Sequence, residues 1–351
     1  MTALAHRIRR TPALAVSLAV GGTLTLAGTA TAHSGNPCGP AARSAPVAKG
    51  LFQTAYSARN HALWATSSVG EPPVTHSRLV KLDPHTLEVE ATYRPPVTDP
   101  ETGAVEAVYG IAVDDAHHTL WTTNTRDNSV GVYSQRTGKH LATLPGVRHA
   151  REVVVDEKHH LAWASSFADG SVIAFDTRTY QEKKRVTLAG SSPAGMAVDE
   201  RTGTAYATDF ANDRIIRIAP HATTPRLIPT GDSPLSVALS RDGRTAYTAD
   251  QAAGTVSVIN LRRGAVTRTV PTGAGAKSVS ADPRSGRILV ANRTTATVTV
   301  VDPHQGTVVD TLTTGALTNH VHVAHGAAFV ATKSASGPNG EDLLHCFPLG
   351  R

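Results

Sequence analysis

Cationic, imidazole, amide and aromatic side chains recur in this sequence just before short apolar runs, and together they could bind an anion. Guanidinium and ammonium groups bind carboxylates and phosphates through charge-assisted hydrogen bonds, and an aromatic ring offers a face for stacking. The candidate ligand-binding residues are Arg148, His149, Arg151, Lys277, Asn319, His320, Tyr109 and Phe52. These residues can form one binding site only if the fold brings them close together.

The histidines raise a second chemistry, metal binding or catalysis. His320 and His322 alternate along an apolar run, so on a strand they would share one face and could chelate a metal. No nearby carboxylate or cysteine completes a recognisable ligand set, and we predict neither a metal nor a cofactor. We also assign no catalytic residue, because the sequence has no Gly-x-Ser-x-Gly elbow. An enzyme of the lactonase or lyase type, with His149 or His320 as general base, is the alternative.

The element that must position these residues is a repeat of about forty residues. Spacings from Trp121 onward are 42, 43, 41, 42 and 40 residues, whereas the first spacing is 57, which indicates an insertion in the first unit. Seven copies are marked by Trp64, Trp121, Trp163, Tyr206, Tyr247, Leu289 and Phe329. A fixed period of this length indicates one supersecondary unit that buries its apolar face only against its neighbours.

Each unit contains four short apolar runs separated by turn sequences. In the unit from Gly195 the runs are Gly195–Asp199, Thr204–Thr208, Arg214–Ile218 and Pro225–Pro229. Four strands at this period predict an all-β fold, a seven-bladed β-propeller with four-stranded antiparallel blades. A solenoid coil would not need four strands per repeat, and a β-sandwich lacks a strict period. The recurring aspartates between the runs are interpreted as turn formers rather than catalytic carboxylates.

The repeat register predicts which residues meet at the mouth of the central channel. One position per blade lies there: Phe52, Tyr109, Arg151, Ala194, Leu235, Lys277 and either Leu317 or Asn319. The next position is Gln53, Gly110, Glu152, Gly195, Ser236, Ser278 and His320. Arg151 and Lys277 are three blades apart, so we expect them nearly opposite each other, around an anion. The alternative is a solvated rim. Loop residues such as Arg293 and Lys333 give weaker support.

The start of the chain predicts export. Residues 1–32 have a basic head, an apolar stretch and the small-x-small ending Ala30-Thr31-Ala32, which is typical of a secretory signal peptide. We assign residues 33–48 to a lead-in with a closing strand and residues 49–351 to the propeller. Without the three signal arginines the net charge falls from +6 to +3, which does not argue for nucleic acid. We expect a secreted monomer with no membrane span.

Two cysteines predict how the ring closes. The last unit has only three strands, ending near residues 343–347, and register places the segment before Gly50 as its fourth strand. The same register brings Cys38 close to Cys346. An even cysteine count in an exported protein favours a disulfide over two free thiols.

Motifs at the ends of the second strands resemble those of a known family. The segments Trp121-Thr122-Thr123-Asn124 and Leu289-Val290-Ala291-Asn292 resemble its Tyr-Val-Thr-Asn motif, and Pro-Thr-Gly follows the outer strands at 229–231 and 271–273. Over about residues 50–345 the chain thus resembles the YncE-like, YVTN-repeat propellers of secreted bacterial proteins. That resemblance implies a binding scaffold of the cell envelope, with single-stranded DNA among its partners. We therefore predict a scaffold for an anionic ligand, a cell-envelope polymer or a protein.

Overall fold

The computed structural model describes residues 36–350, which form strands, turns and loops. Seven four-stranded sheets and one two-stranded hairpin make up this part of the chain, and every pairing is antiparallel. The prediction of a seven-bladed propeller is confirmed. The signal peptide predicted for residues 1–32 lies outside the described residues. Within residues 36–350 there is no helix that could span a membrane.

The strands follow the repeat in chain order. The closing strand is β1 (Arg43–Ala48). Blade 1 contains β2 (Leu51–Ser57), β3 (Ala62–Val69), β4 (His76–Leu82) and β5 (Val89–Tyr93), and the hairpin after it contains β6 (Val97–Asp99) and β7 (Ala104–Val105). Blade 2 contains β8 (Val108–Asp114), β9 (Thr119–Asn124), β10 (Ser129–Ser134) and β11 (His140–Pro145). Blade 3 contains β12 (Ala150–Asp156), β13 (Leu161–Ser166), β14 (Ser171–Asp176) and β15 (Glu182–Thr187).

The remaining blades keep the same order. Blade 4 contains β16 (Pro193–Asp199), β17 (Thr204–Asp209), β18 (Arg214–Ile218) and β19 (Arg226–Pro229). Blade 5 contains β20 (Pro234–Leu239), β21 (Thr245–Asp250), β22 (Thr255–Asn260) and β23 (Ala265–Pro271). Blade 6 contains β24 (Ala276–Ala281), β25 (Ile288–Asn292), β26 (Thr297–Asp302) and β27 (Thr307–Thr313). Blade 7 contains β28 (Thr318–Ala324), β29 (Ala327–Thr332) and β30 (Asp342–Pro348), and β1 is its outer strand.

The core lies between neighbouring blades. One cluster joins Trp121 and Val130 of blade 2 to Val153 and Ala162 of blade 3, and equivalent clusters recur around the ring. Each apolar face is therefore buried by the next blade, which is why the sequence repeats. The second strands carry the largest core side chains, and Trp121 is fully buried.

The ring closes as the register predicted. Strand β1 pairs with β30 so that Arg43 lies opposite Cys346. Cys38 and Cys346 form a disulfide with their Cα atoms 5.5 Å apart, and both are buried. First and last parts of the chain are thus joined by one sheet and one covalent bond.

The repeated aspartates form turns, as the sequence predicted. After the third strands, Oδ1 of Asp176 accepts the backbone N–H groups of Arg178 and Thr179, both at 2.9 Å. Oδ1 of Asp302 accepts those of His304 and Gln305 in the same way. Such contacts satisfy backbone donors in the turn and leave no reason to assign these carboxylates to catalysis.

The first-blade insertion has more structure than a loop. The insertion indicated by the spacing of 57 residues includes the β6–β7 hairpin, in which Val97 pairs with Val105. Its end is fixed to the neighbouring loop, because the N–H of Val105 donates to the carbonyl of Val74 at 2.8 Å. Asn124 Nδ2 also donates to the buried Glu106 at 2.9 Å. The insertion is therefore packed onto blades 1 and 2.

Candidate anion-binding site at the channel mouth

A cavity of about 820 Å³ lies on the axis of the propeller, lined mainly by the innermost strand of each blade. Because these strands run in the same direction around the axis, equal positions along them form rings. We call the second residues of these strands the first ring, and all of them line the cavity: Phe52, Tyr109, Arg151, Ala194, Leu235, Lys277 and Asn319.

The open choice between Leu317 and Asn319 is settled by strand pairing. Thr318 pairs with Thr332, and one extra residue precedes the pairing of His320 with Ala331. Blade 6 has the same irregularity around Lys277. Asn319 therefore occupies the first ring, whereas Leu317 is exposed and does not line the cavity.

A second set of side chains comes from the residue that follows the second strand of a blade. The backbone N–H of Arg293 donates to the carbonyl of Gly275 at 2.9 Å, and that of Lys333 donates to the carbonyl of Leu317 at 3.1 Å. Phe167 and Phe210 make the equivalent contacts in blades 3 and 4. These bonds hold the loops beside the mouth. From the sequence, Arg293 and Lys333 were only weak candidates, although their shared repeat position was a usable signal.

We call Arg151, Lys277, Arg293 and Lys333 the mouth cations. Arg151, Lys277 and Lys333 line the cavity, whereas Arg293 is outside the lining but close enough to repel Lys277. Within residues 36–350, none of them has a carboxylate oxygen within the 4.0 Å that defines an ion pair. Burial, followed by repulsion from the other three, lowers the pKa of Lys277 to about 8. Burial likewise lowers the pKa of Lys333 to about 8, with repulsion from Arg293 and an opposing effect of Asp342. The site thus concentrates positive charge.

Aromatic rings support these cations. Lys333 Nζ lies 3.4 Å from the ring centroid of Phe52, which contacts Tyr109 edge to face with centroids 4.3 Å apart. On the other wall, Arg151 Cζ lies 5.3 Å from the ring centroid of Phe167. A ring face attracts a cation electrostatically, so the aromatic residues fix the charges without neutralising them.

The hydrogen bonds of the Asn319 amide go to other protein groups, including the side chain of Arg293. Its Oδ1 accepts a hydrogen bond of 2.9 Å from Arg293 Nη1, and its Nδ2 donates to the carbonyl of Phe52 at 2.8 Å. Both ends of the amide are therefore engaged, and Asn319 is buried. The residue is placed to orient Arg293.

The third residues of the inner strands form a second ring, whose polar atoms join neighbouring blades. Oε1 of Gln53 accepts the N–H of Ile111 at 3.2 Å. Three more acceptors of this ring act in the same way. Ser236 Oγ accepts the N–H of Val279, and Ser278 Oγ accepts the N–H of Val321. His320 Nδ1 accepts the N–H of Thr54. Each bond satisfies a backbone donor of the next blade, which explains polar residues in this ring structurally.

His320 is consequently a donor toward the cavity. Its Nδ1 accepts the N–H of Thr54 at 3.3 Å, so the proton of the neutral ring is assigned to Nε2. Burial, together with repulsion from His322 and Lys277, lowers the pKa of His320 to about 3. A neutral imidazole with this tautomer donates a hydrogen bond and is unsuited to act as a general base.

Glu152 is the carboxylate of the second ring. Gln53 Nε2 donates to its Oε2 at 3.0 Å. Burial raises the pKa of Glu152 to about 7, although the Gln53 hydrogen bond and the charge of Arg151 act in the opposite direction. Glu152 was not among the binding residues predicted from the sequence, even though it is the one acidic residue at its repeat position.

Arg148 and His149 precede strand β12 and diverge. His149 lines the cavity with its ring centroid 5.6 Å from that of Phe167, and burial lowers its pKa, assisted by Arg151 and Arg126. The side chain of Arg148 is exposed and does not line the cavity. Arg126 also lines it, but pairs with Glu71 at 2.7 Å.

His320 and His322 both line the cavity, whereas the ring of His325 packs against Tyr56 with centroids 4.9 Å apart. In the part of the chain that the structure describes, no three histidine, cysteine or acidic side chains are grouped so that they could hold a metal ion.

Comparisons with known proteins agree with this architecture. No protein-family model matches the chain. It is 24% identical over 242 residues to the uncharacterized protein YncE of Salmonella typhi and of Salmonella typhimurium, a match covering 63% of this chain. The match spans 64% of the length of those relatives.

Two solved structures share the fold. Hydrazine synthase from Kuenenia stuttgartiensis superposes with a TM-score of 0.71 at 13% identity, covering 86% of this chain and 96% of that one. Virginiamycin B lyase from Staphylococcus aureus gives a TM-score of 0.71 at 13% identity, with coverage of 88% and 99%. At this identity the likeness concerns the fold and not the activity.

Proposed function

We propose that this seven-bladed propeller, which is similar to YncE, is a binding scaffold that takes an anionic ligand at the channel mouth. The observation that carries the proposal is the group of four mouth cations without a carboxylate partner in residues 36–350. Like charges held close together and partly out of water are unfavourable unless an opposite charge compensates them. A bound anion supplies that compensation.

The nature of the cations suits carboxylate or phosphate. Arg151 lines the cavity with a planar fork of donors that matches two oxygens of such a group. The lysines add point charges, and Arg293 adds positive charge beside the lining. Phe52 and Phe167 hold a cation on each wall and keep it facing the cavity. Charge and geometry therefore favour an anion over a neutral or cationic ligand.

The compartment is part of the proposal. The Cys38–Cys346 disulfide fits a protein of an oxidising, extracytoplasmic space. We propose that residues 1–32 direct export and that the ligand is met outside the membrane. Anionic polymers of the cell envelope and single-stranded DNA belong to the classes to be tested.

Isothermal titration calorimetry of the mature chain tests binding against small carboxylates, inorganic phosphate, wall fragments and single-stranded oligonucleotides. The double variant Arg151→Ala, Lys277→Ala removes two mouth cations, and we expect at least a hundredfold loss of affinity, since each charge-assisted contact contributes about 1.5–3 kcal/mol. Affinity for a polymer should also fall with salt.

The matched control removes the same charge elsewhere. Lys139 and Arg263 are exposed in turns between third and fourth strands. The double variant Lys139→Ala, Arg263→Ala should bind like the parent. Equal affinity of both double variants, with both folded, contradicts the proposal.

Catalysis is the second candidate, favoured by one observation. A carboxyl group whose pKa is about 7, that of Glu152, lines the same cavity as the half-buried imidazole of His149. Such a pair could serve as acid and base toward a lactone or an eliminable ester. Turnover followed by NMR, lost in His149→Ala but not in His61→Ala, would favour this candidate. Binding without turnover favours the scaffold.

A further inference from the structure

We infer that the ligand of this site is a small anionic amphiphile: a carboxylate held by the mouth cations, attached to an apolar chain that lies in the channel beneath them. This inference rests on the proposed function, and it names the class of anion. The cavity volume of about 820 Å³ falls in the range of roughly 300–1,000 Å³ that is usual for small-molecule sites.

The channel wall becomes apolar below the second ring. The next position of every inner strand touches the cavity, and six of these seven buried residues are apolar and also belong to the cores between blades: Thr54, Ile111, Val153, Met196, Val237, Val279 and Val321. Deeper still the lining includes Ala55, Ala112, Val113, Val154 and Val155, together with the polar Tyr56, Ser280 and His322. From Arg151 to Val155 the strand advances roughly 13 Å, at about 3.3 Å per residue. A medium-length acyl chain matches this depth.

Several polar side chains along this wall are engaged with the protein itself, although Thr54 Oγ1 has no hydrogen-bond partner among the described residues. Ser280 Oγ accepts the N–H of Val323 at 3.1 Å, in the same manner as Ser236 and Ser278 above it. Gln53 uses both ends of its amide, on Ile111 and Glu152. A ligand covered with hydroxyl groups would leave water and find few partners here, which is costly. An alkyl chain has no such requirement.

Fixed charge is confined to the mouth. Besides His320, the ionisable groups of residues 36–350 that line the channel below the first ring are Glu152, His322 and Tyr56. Burial, assisted by Asp115, raises the pKa of the Tyr56 phenol, so it stays neutral. Burial lowers the pKa of His322 to about 4 and raises that of Glu152 to about 7. Near pH 6 the histidine is neutral and the carboxyl is mostly protonated. The mouth cations thus attract the head group, while nothing charged opposes the chain.

Calorimetric titration of butyrate, hexanoate and octanoate at pH 6 tests the inference, with gluconate as a hydrophilic anion of the same charge. We expect affinity to rise roughly fourfold per added methylene, because each contributes about 0.8 kcal/mol when buried. Octanoate that binds no tighter than gluconate overturns the inference but leaves the proposed function standing. If none of the four anions binds, and no other anion binds either, the result counts against both the inference and the proposed function.

Variants of the wall separate the chain from the head group. Ala112→Ser and Val154→Ser place a hydroxyl in the lower channel, and we expect a three- to tenfold loss for octanoate with butyrate unchanged. Val308→Ser, on the exposed outer strand β27, is the control. Ala112→Ser removes no core atom, so it stays informative if Val154→Ser unfolds. An unchanged dependence on chain length in folded Ala112→Ser overturns the inference.

An acyl lipid shares this chemistry, so co-sedimentation with phosphatidylglycerol vesicles forms a second arm. Absence of vesicle binding identifies a free acid as the source. Vesicle binding that octanoate reverses supports the channel as the site of a lipid chain. Vesicle binding that octanoate leaves unaffected, without calorimetric binding of octanoate, overturns the inference.

Discussion

Gln53 of blade 1 and Glu152 of blade 3 are joined by a hydrogen bond of 3.0 Å that passes in front of the intervening blade. At that repeat position blade 2 has Gly110, whose absent side chain leaves room for the contact. A Cβ at Gly110 would lie 3.3 Å from Gln53 Oε1 and 2.6 Å from Thr123 Oγ1. The three residues thus form one unit that holds the Glu152 carboxyl in position.

Gly110→Ala should destabilise the propeller by about 1–3 kcal/mol, because the new methyl group overlaps Thr123 and forces the Gln53 amide away. Urea unfolding followed by intrinsic fluorescence gives the difference in the free energy of unfolding. Gly350→Ala is the control, since a Cβ at that position would have no neighbour within 4 Å. Equal midpoints for the two variants would show that the strand shifts without cost.

Anion affinity should fall as the pH rises through about 8. In the free protein, burial and the neighbouring cations hold the pKa of Lys277 and of Lys333 near 8, and a bound anion favours the ammonium form, so binding takes up protons. Titrations at pH 7–9.5 in buffers of different ionisation enthalpy measure this uptake. The double variant Lys277→Arg, Lys333→Arg keeps the charge but should lose the pH dependence. A pH-independent parent would contradict the lysine assignment.

Acid stability should depend on His322 and Glu152 with opposite signs. The pKa of His322 is lowered to about 4 in the fold, so its contribution is complete above about pH 6.5 and is lost as the pH falls toward 4. Glu152, with its pKa raised to about 7, contributes stability that is present at low pH and lost as the pH rises from about 4.5 to 7.

Between pH 4.5 and 6.5, relative to the parent, His322→Phe should therefore flatten the decline of unfolding free energy on acidification by at most about 1.4 kcal/mol per pH unit. Glu152→Gln should steepen it by up to the same amount. Urea unfolding at four pH values measures both slopes. Slopes that change in the same direction would contradict the opposite protonation states of the two groups.

Much of the fold was predictable because its determinants are short-range. Period and alternation define the blades, and the three-stranded last unit requires a strand from the other end, which places Cys38 beside Cys346. The first ring follows from the same register, so Arg151 and Lys277 were found correctly at the cavity. Their binding role stays a prediction.

The site beyond that ring was less predictable because it depends on side-chain contacts between blades. Arg148 is close to Arg151 in sequence but precedes β12, and its side chain is exposed. Arg293 stands among turn-type residues, and only Asn319 of the next blade shows where it is held. Glu152 gains its raised pKa from burial, which spacing does not reveal.

Asn319→Asp should weaken anion binding about tenfold, because it puts a carboxylate where the amide oxygen lies 2.9 Å from Arg293 Nη1 and so neutralises one mouth cation. The control is Asn260→Asp. Asn260 Oδ1 accepts the N–H of Arg263 in a turn where blades 3 and 6 have aspartate, so this change should be neutral. Similar affinities for the two variants would indicate that Arg293 does not contact the ligand.

Loss of the Cys38–Cys346 disulfide should reduce the free energy of unfolding by about 2–5 kcal/mol. The bond closes a loop with a sequence separation of 308, and without it the outer strand β1 can leave β30 and expose the edge of blade 7. Thermal unfolding of the double variant Cys38→Ser, Cys346→Ser and of the reduced parent measures the effect. Both should melt at the same lower temperature, because each lacks only the cross-link. A double variant as stable as the oxidised parent would show that strand pairing alone closes the ring.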